Sequence, residues 1–334
     1  MPELRKDPVL DHWVAFAKDR ALRPSDFEAV PRRRGGAVCP FCAGNEHLTP
    51  RELTRVPAEG AAQHSAWLVR VVENKYPAVH PRREYRAEDA GGTLLQSIPG
   101  FGAHEVIIES SRHVLSVTEL SAAEFARVVG VYRARFRAHQ SDARPLFPML
   151  FKNNGPEAGA SLEHAHSQLI VLPTVPSVTR AELEAARRYL EAHGTCIYCE
   201  LIEREILAKE RLVAESENFV AFCPFAARFS YETWILPKCH AGRFESLEGP
   251  LIGEFSGLFL HVLRRIEAIL DRPAYNYYIH NSPLKTDNES RCYHWHLEIT
   301  PRLGKMAGYE LGSGYYINPV LPEDAASRLR GDTD

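Results

Sequence analysis

The amino-acid sequence predicts an α+β protein of two similar halves, each with a mostly antiparallel β-sheet packed against helices. Three observations support this prediction. The same series of five motifs occurs twice in the same order. Short β-branched segments bounded by Gly or Pro, which are typical of strands, recur in both series. Each half also contains a long segment with apolar residues at three- and four-residue spacing, which is typical of an amphipathic helix.

Each series of motifs begins with a C-x-x-C pair and ends with an H-x-H segment. The first half contains "CPFC", "VVENKYPAVHP", "HEVIIESSRHVLSVTEL", "FPMLFKNNG" and "EHAHSQLIVLP". The second half contains "CIYC", "VAESENFVAFCPF", "ETWILPKCHAGRFESLE", "YNYYIHNSP" and "YHWHLEITP". A lone His precedes H-x-H by 51 residues in the first half (His113 to His164) and by 54 in the second (His240 to His294). This recurrence indicates a duplication, and we expect one domain at 1–175 and another at 176–334.

The elements follow in order from these patterns. "HEVIIES" and "LIVLP" in the first half, and "ETWILP" and "HLEITP" in the second, are predicted strands. "TELSAAEFARVVGVYRARFRAHQ" and "PLIGEFSGLFLHVLRRIEAIL" are predicted amphipathic helices, one in each half. "TVPSVTRAELEAARRYLEAHG" predicts a third helix that joins the halves, because it begins with Thr174, a capping residue type, and ends at Gly194.

Composition excludes several classes of protein. The 334 residues include 45% hydrophobic and 25% charged residues, which is ordinary for a soluble globular protein. The net charge of −3 gives no reason to expect a nucleic-acid or membrane partner. The N-terminal "MPELRKDPVLDHW" does not resemble a signal peptide, and no apolar run is long enough to span a membrane. We therefore expect a cytoplasmic protein.

Four of the seven cysteines form the two C-x-x-C pairs. In a reducing compartment such pairs are metal ligands or redox centres more often than disulfides. A redox function would predict one pair at the start of a helix, whereas two pairs that are each followed by histidines favour zinc. The remaining Cys223, Cys239 and Cys292 are expected to be ordinary buried small residues.

A tetrahedral zinc site needs four sulfur or nitrogen ligands, and each half offers such a set. The C-x-x-C pair and the lone His supply three ligands, and one His of the H-x-H segment supplies the fourth. Taken singly, His113 and His240 are ordinary surface or core histidines. The recurrence of the whole set favours two zinc ions, with a single zinc as the alternative.

The H-x-H segment of the first half leaves one histidine over. Side chains alternate in a strand, so His164, His166 and Gln168 are predicted to point to the same side. The preceding "FKNNGPEAGAS" combines Gly, Asn and Ser, which suits a cluster of anionic oxygens. A neutral imidazole is a competent nucleophile towards phosphorus. The alternative is a Gly-rich turn that leads into an ordinary buried strand.

The segment "NNGPEAGASLEHAHSQ" resembles the active-site signature of the galactose-1-phosphate uridylyltransferases, the transferase branch of the histidine-triad (HIT) superfamily. The resemblance covers nearly the whole chain, from "RKDPVLDHWVAFAKDRALRP" to "GYELGSGYYINPVLPEDAA". It implies a HIT-like fold in each half and an enzyme of carbohydrate metabolism. It also implies a nucleotide sugar and a sugar phosphate as substrates, and a homodimer with shared active sites.

The resemblance assigns roles to individual residues. His166 corresponds to the nucleophile that carries the nucleotidyl group, and Gln168 corresponds to the residue that hydrogen-bonds the transferred phosphoryl group. The implied zinc ligands are Cys39, Cys42, His113 and His164 in the first half and Cys196, Cys199, His240 and His294 in the second. The implied substrate-binding residues are Arg20, Arg23, Asn74, Lys75, Asn153, Gly159, Ser161, Lys305, Tyr309 and Glu310.

The implied reaction is ping-pong transfer of UMP from UDP-glucose to a hexose 1-phosphate through a covalent nucleotidyl-histidine. Lys75 replaces the acid that is typical of uridylyltransferases, and the second zinc set resembles ADP-glucose phosphorylase. Adenylyl transfer to phosphate is therefore the alternative. The residues also leave open a nucleotide hydrolase or dinucleoside-polyphosphate phosphorylase, and a zinc-supported binding module.

The second H-x-H segment differs from the first at one position. Glu298 stands where the first half has Gln168, and its carboxylate would repel a phosphoryl group. We therefore expect a degenerate second copy in which His296 is a structural or sugar-side residue.

Overall fold

The computed structural model describes residues 3–10, 12–16, 38–58, 66–81, 98–142, 147–284 and 287–332. The predicted phosphate-binding residues Arg20 and Arg23 lie outside these ranges. The strands are β1 Glu3–Lys6, β2 Trp13–Phe16, β3 Glu52–Pro57, β4 Trp67–Glu73, β5 Ala103–Ile108, β6 Phe147–Asn154, β7 His166–Leu172, β8 Leu212–Glu215, β9 Phe219–Phe222, β10 Thr233–Pro237, β11 Tyr275–His280, β12 His296–Pro301 and β13 Tyr316–Asn318. The helices are α1 Ala122–Ala138, α2 Ser177–His193, α3 Ile197–Ala208, α4 Gly249–Ile269, α5 Asp287–Cys292, α6 Gly308–Ser313 and α7 Pro322–Arg330.

Ten of these strands form one antiparallel sheet in the order β3-β4-β5-β7-β6-β11-β12-β10-β9-β8. The order of the last five strands mirrors that of the first five, as a duplication requires. The halves join where β6 pairs with β11, with Phe151 opposite Tyr278. The predicted α+β class and the antiparallel pairing are confirmed. The sheets of the two halves are continuous, because pairing satisfies the backbone groups that would be unpaired at two strand edges.

Helices α1 and α4 pack against each other and cover one face of the large sheet. Helix α1 begins at a capping box in which Ser121 and Glu124 each accept a hydrogen bond from the other's backbone N–H. Its buried face meets alternate residues of β7, among them Leu169 and Val171. Because side chains alternate, His166 and the other even-numbered residues of β7 lie on the opposite face.

That opposite face is covered differently in the two halves. In the second half α2 and α3 cover it, and Tyr198 of α3 packs in one apolar cluster with Trp234 of β10. In the described part of the first half, Phe41 from the C-x-x-C turn packs against Val106 and Ile108 of β5. The duplicated strands are therefore placed under different coverings.

The predicted third helix is present as α2, and Gly194 caps its C-terminal end in a left-handed conformation with φ +73°. Its predicted beginning was wrong. The helix begins at Ser177 after Pro176, without a side-chain cap. Pro176 explains the difference, because its ring disfavours a helical conformation at the preceding residue and separates Thr174 from the helix. The division at 175/176 stays a prediction.

A second, three-stranded sheet brings the ends of the described chain together. Strand β2 pairs with β1 in an antiparallel fashion and with β13 in a parallel fashion. Arg5 of β1 also forms an ion pair with Glu323 of α7. Among the described helices, none combines the length and the apolar composition of a membrane-spanning segment.

Candidate functional site

The first predicted ligand set converges in the structure. The Cys42 Sγ lies 3.3 Å from His113 Nδ1, and the Cys39 Sγ lies 3.5 Å from His164 Nδ1. All four ligand atoms lie within 4.8 Å of one another. Tetrahedral zinc bonds of about 2.3 Å to sulfur and about 2.0 Å to nitrogen place such atoms about 3.5 Å apart. The group is therefore the right size for a metal ion.

The orientation of the His164 ring supports the same conclusion. Its Nε2 lies 2.8 Å from the carbonyl oxygen of Ser110, which can only accept a hydrogen bond. The proton is therefore on Nε2, and Nδ1 turns its lone pair towards the two sulfur atoms. A second hydrogen bond of this kind is the usual way in which a protein orients a metal-binding histidine.

The second predicted set converges in the same manner. The Cys199 Sγ lies 3.5 Å from His240 Nδ1 and 3.6 Å from His294 Nδ1, and Cys196 completes the group. The Nε2 of His294 donates to the carbonyl oxygen of Pro237 at 2.9 Å, in the same orientation as His164. Both halves thus contain a Cys₂His₂ group that could hold a metal.

His166 is the first residue of β7, on the same strand end as the first metal group. Its Nδ1 lies 2.7 Å from the carbonyl oxygen of His164 and donates to it. This bond leaves the lone pair on Nε2, so this nitrogen is chemically able to attack an electrophile. Burial lowers the pKa of His166, and the nearby Lys152 lowers it further. The ring is therefore neutral at neutral pH, and only a neutral imidazole can act as a nucleophile.

A buried ion pair holds the backbone of His166 from the core side. The Lys152 Nζ donates to the His166 carbonyl oxygen at 3.0 Å and to the Glu109 carboxylate. Glu109 also accepts hydrogen bonds from the hydroxyl groups of Tyr132 and Ser167. Such a network restricts the movement of His166. Sequence reasoning did not identify Lys152 or Glu109.

Gln168 lies two residues beyond His166 on the same face of β7. Its Oε1 is 2.9 Å from His104 Nε2 and 3.2 Å from Asn74 Nδ2. The structure thus brings Asn74, a predicted substrate-binding residue, into contact with Gln168. Lys75 follows on the surface, with its Nζ 5.9 Å from the ring centroid of Tyr76. His104 was missed, because a single His in a strand pattern gives no signal of its own.

The loop before β7 needs glycine at two positions. Gly155 and Gly159 both have φ +87°, which non-glycine residues adopt rarely. Asn276 of β11 anchors this loop by donating to the Ala158 carbonyl oxygen at 2.9 Å and to the Asn153 Oδ1 at 2.8 Å. The predicted residues Asn153 and Gly159 are thus held next to each other, with Ser161 exposed at the end of the loop.

The predicted sugar-binding residues near the C-terminus lie elsewhere. Lys305 and Glu310 line a cavity of about 130 Å³ together with Arg228 and Tyr316, and Tyr309 is exposed on α6. Among the described residues that line this cavity, none belongs to β7 or to the loop at 155–161. Within one chain, therefore, the cavity is separate from His166.

The second H-x-H segment is sealed in the protein. His296 is fully buried beneath the rings of Tyr198 and Trp234. Glu298, at the position equivalent to Gln168, forms an ion pair with Arg228. Burial and an ion pair fit a structural copy, not a second site open to a nucleotide.

A third group of metal-ligand type, which sequence reasoning missed, surrounds this histidine. It consists of Glu182, His280, His296 and Glu298. Glu182 is already bonded to the Nδ1 of His280 at 3.0 Å and to the Tyr293 hydroxyl at 2.6 Å. The Nε2 atoms of His280 and His296 have no hydrogen-bond partner among the described residues. No signal in the sequence indicates this group, because the register of β11 against β12, which places His280 opposite His296, is not contained in a local pattern.

Comparisons with known proteins agree over both halves. Residues 1–176 match the family model "Galactose-1-phosphate uridyl transferase, N-terminal domain", and residues 182–332 match the model of its C-terminal domain. The chain is 38% identical to an ADP-glucose phosphorylase of Arabidopsis thaliana over 98% of this chain and 92% of that protein. It is 29% identical to a galactose-1-phosphate uridylyltransferase of Thermotoga maritima over 99% and 98% of the two chains.

Two solved structures superpose on nearly the whole chain. A crystal structure of an ADP-glucose phosphorylase from Arabidopsis thaliana with bound ADP-glucose superposes with a TM-score of 0.86 at 37% identity, over 100% of both chains. A uridylyltransferase structure superposes with a TM-score of 0.75 at 27% identity, over 99% of this chain and 98% of that one.

Proposed function

The chain belongs to the galactose-1-phosphate uridylyltransferase family of nucleotidyltransferases, and we propose that it transfers a nucleotidyl group through His166. The observation that carries this proposal is the His166 Nδ1–His164 carbonyl bond, which leaves the Nε2 lone pair for the reaction. Gln168 and the loop at 155–161 supply polar groups on the same side of the sheet for the phosphoryl oxygens.

The reaction has two balanced steps. The Nε2 of His166 attacks the α-phosphorus of a nucleotide sugar, and a P–N bond forms as the P–O bond to the sugar phosphate breaks. An oxygen of the acceptor then attacks the same phosphorus, and the P–N bond breaks. The protein's part is to hold the ring neutral and oriented, and to place donors around the phosphoryl group.

The donor that we propose is ADP-glucose, with inorganic phosphate as acceptor and with ADP and glucose 1-phosphate as products. Identity of 38% to an ADP-glucose phosphorylase over 98% of the chain supports this choice. The second Cys₂His₂ group, a feature in which the sequence resembles ADP-glucose phosphorylase, supports it as well. The second candidate is uridylyl transfer from UDP-glucose to a hexose 1-phosphate in galactose metabolism. It is supported by the family match and by the 29% identical Thermotoga relative.

We propose zinc as the metal of both Cys₂His₂ groups, since this donor set suits zinc better than it suits hard cations. Bound there, zinc would cross-link segments that are distant in the chain and would have no open coordination position, so we propose a structural role for it. Free thiol pairs of this kind also favour a reducing compartment, which supports the cytoplasm as location.

A homodimer is proposed from the surface near the C-terminus. Between residues 303 and 315 the chain exposes several large apolar side chains, among them Leu303, Tyr309 and Leu311. Apolar side chains grouped in this manner are typical of a surface that another protein covers. A second copy of the chain would cover them and could bring Lys305, Tyr309 and Glu310 to its neighbour's His166. We also keep Arg20, Arg23, Lys75, Asn153, Gly159 and Ser161 as proposed substrate-binding residues.

The test is the intact mass of the protein after brief mixing with ADP-glucose and, separately, with UDP-glucose. We expect an added AMP group that inorganic phosphate removes as ADP. An added UMP group that a hexose 1-phosphate removes would instead establish the second candidate. His166→Asn is the control and should keep its metal content without forming an adduct. If the wild-type protein forms no adduct with either donor, the proposed function is wrong.

A further inference from the structure

We propose that His104 is a positioning residue for the nucleotidyl transfer. Together with Asn74, it fixes the side-chain amide of Gln168 so that the Nε2 group, and not Oε1, faces the transferred phosphoryl group. The inference rests on the proposed function and adds to it a residue outside the catalytic signature.

The first support is a chain of hydrogen bonds that begins at a backbone amide. The N–H of Ala78 donates to His104 Nδ1 at 3.1 Å. A backbone N–H can only donate, so Nδ1 must carry a lone pair, and in a neutral ring the proton is then on Nε2. This Nε2–H points at the Oε1 of Gln168 at 2.9 Å. Because the His104 Nε2 carries the proton, it can form a hydrogen bond to the Oε1 of Gln168 but not to its Nε2 group.

A second chain has the same direction. The N–H of Tyr76 donates to Asn74 Oδ1 at 2.8 Å, which fixes the amide of Asn74. The Nδ2 of Asn74 lies 3.2 Å from Gln168 Oε1 and 3.1 Å from His104 Nε2. Because the His104 Nε2 carries the ring proton, it cannot accept from Nδ2, and Asn74 donates to Gln168 Oε1. Both chains start at backbone amides in the segment 76–78 and end on one oxygen atom.

Two donors on Oε1 leave the Nε2 group of Gln168 for the substrate. No hydrogen bond from this Nε2 to another described residue accompanies the two bonds to Oε1. Phosphoryl oxygens are acceptors, so the amide must present N–H to them. A reversed amide would place the partly negative Oε1 against a phosphoryl oxygen and would lose the hydrogen bond as well.

The protonation of His104 agrees with this role. Burial lowers the pKa of His104, although Gln168 and Glu105 oppose the effect. The ring is therefore neutral at neutral pH. A second ring proton would sit on Nδ1, facing the N–H of Ala78, and would break the first chain.

The experiment compares His104→Gln with His104→Met, two side chains of equal length. Glutamine can accept from Ala78 and donate to Gln168, whereas methionine can do neither. We expect His104→Met to slow nucleotidylation of His166 about tenfold, with KM for the nucleotide sugar changed less than about threefold. The cost stays below the roughly hundredfold effect of deleting an aimed donor, because Asn74 still holds Gln168 Oε1. His104→Gln should recover most of the rate, and both variants should keep the wild-type unfolding midpoint.

A double-mutant cycle separates positioning from a general structural effect. If His104 acts through Gln168, adding His104→Met to Gln168→Ala should slow the reaction no further. The proposal would be overturned if the rate losses of the two single variants multiplied in the double variant. It would also be overturned if His104→Met kept the wild-type rate, or if His104→Gln and His104→Met lost the same rate.

A measurement without substrate keeps the inference apart from the proposed function. Nitrogen-15 NMR of the His104 ring, assigned with His104→Gln, should show the proton on Nε2 at neutral pH. A proton on Nδ1 would overturn the inference whatever the activity. If the wild-type protein forms no adduct, the proposed function is overturned. The NMR measurement would still test the position of the proton on the His104 ring, because it needs no substrate.

Discussion

Lys152→Met should be among the most destabilising single changes in this protein. The side chains of Lys152 and Glu109 are 1% and 0% exposed, so the substitution leaves a carboxylate buried without its cation. Burial would raise the pKa of Glu109, but Lys152 and the neighbouring hydroxyl groups outweigh it and hold the pKa below its usual value. Breaking such a pair costs about 3–5 kcal/mol. Because Tyr132 and Ser167 still donate to Glu109, we expect about 3 kcal/mol.

The assay is urea unfolding at neutral pH, with the free energy of unfolding extrapolated to water. Lys238→Met is the matched control, since Lys238 makes an ion pair with Glu215 but is 25% exposed. It should cost no more than about 1 kcal/mol. The double variant Lys152→Met, Glu109→Gln should recover at least half of the free energy of unfolding that Lys152→Met loses, because no buried charge remains. Equal effects of the two Lys→Met changes, or no recovery in the double variant, would refute the reasoning.

Three further predictions concern the metal, the backbone and pH. Cys39→Ser should remove about one equivalent of metal and lower the unfolding temperature, as measured by elemental analysis and calorimetry; full metal content would contradict the ligand assignment. Gly102→Ala should cost about 2 kcal/mol or more in urea unfolding, since φ is +144° and an added Cβ would lie 1.9 Å from the Val171 carbonyl oxygen; an unchanged midpoint would exclude this contact. Arg135 and His139 outweigh the effect of burial and lower the pKa of Glu105 below its ordinary 4.5. This contribution to stability is present above pH 4.5 and is lost as the pH falls through the lower pKa of the folded state. Glu105→Gln should therefore make the free energy of unfolding fall less steeply with decreasing pH. A fall as steep as that of the wild type would contradict this prediction.

Sequence reasoning succeeded where the relevant spacing lies within one element or recurs in both halves. The two C-x-x-C pairs and their histidines were found because duplication made each set support the other. The placement of His166 and Gln168 on one face follows from the two-residue period of a strand, which no tertiary contact changes. The glycines at 155 and 159 were likewise readable, since positive φ angles favour glycine locally.

What the sequence by itself determined, then, is the duplicated α+β fold, the two Cys₂His₂ sets and the histidine next to the first of them. Tertiary structure alone decided what surrounds those groups. Gln168 meets His104 across 64 positions of chain and Asn74 across 94, and Glu182 reaches His280 across 98. Such contacts depend on the register of paired strands and on which helices cover each face. Those features arise from burying the whole sheet at once, so a local pattern of residues does not contain them.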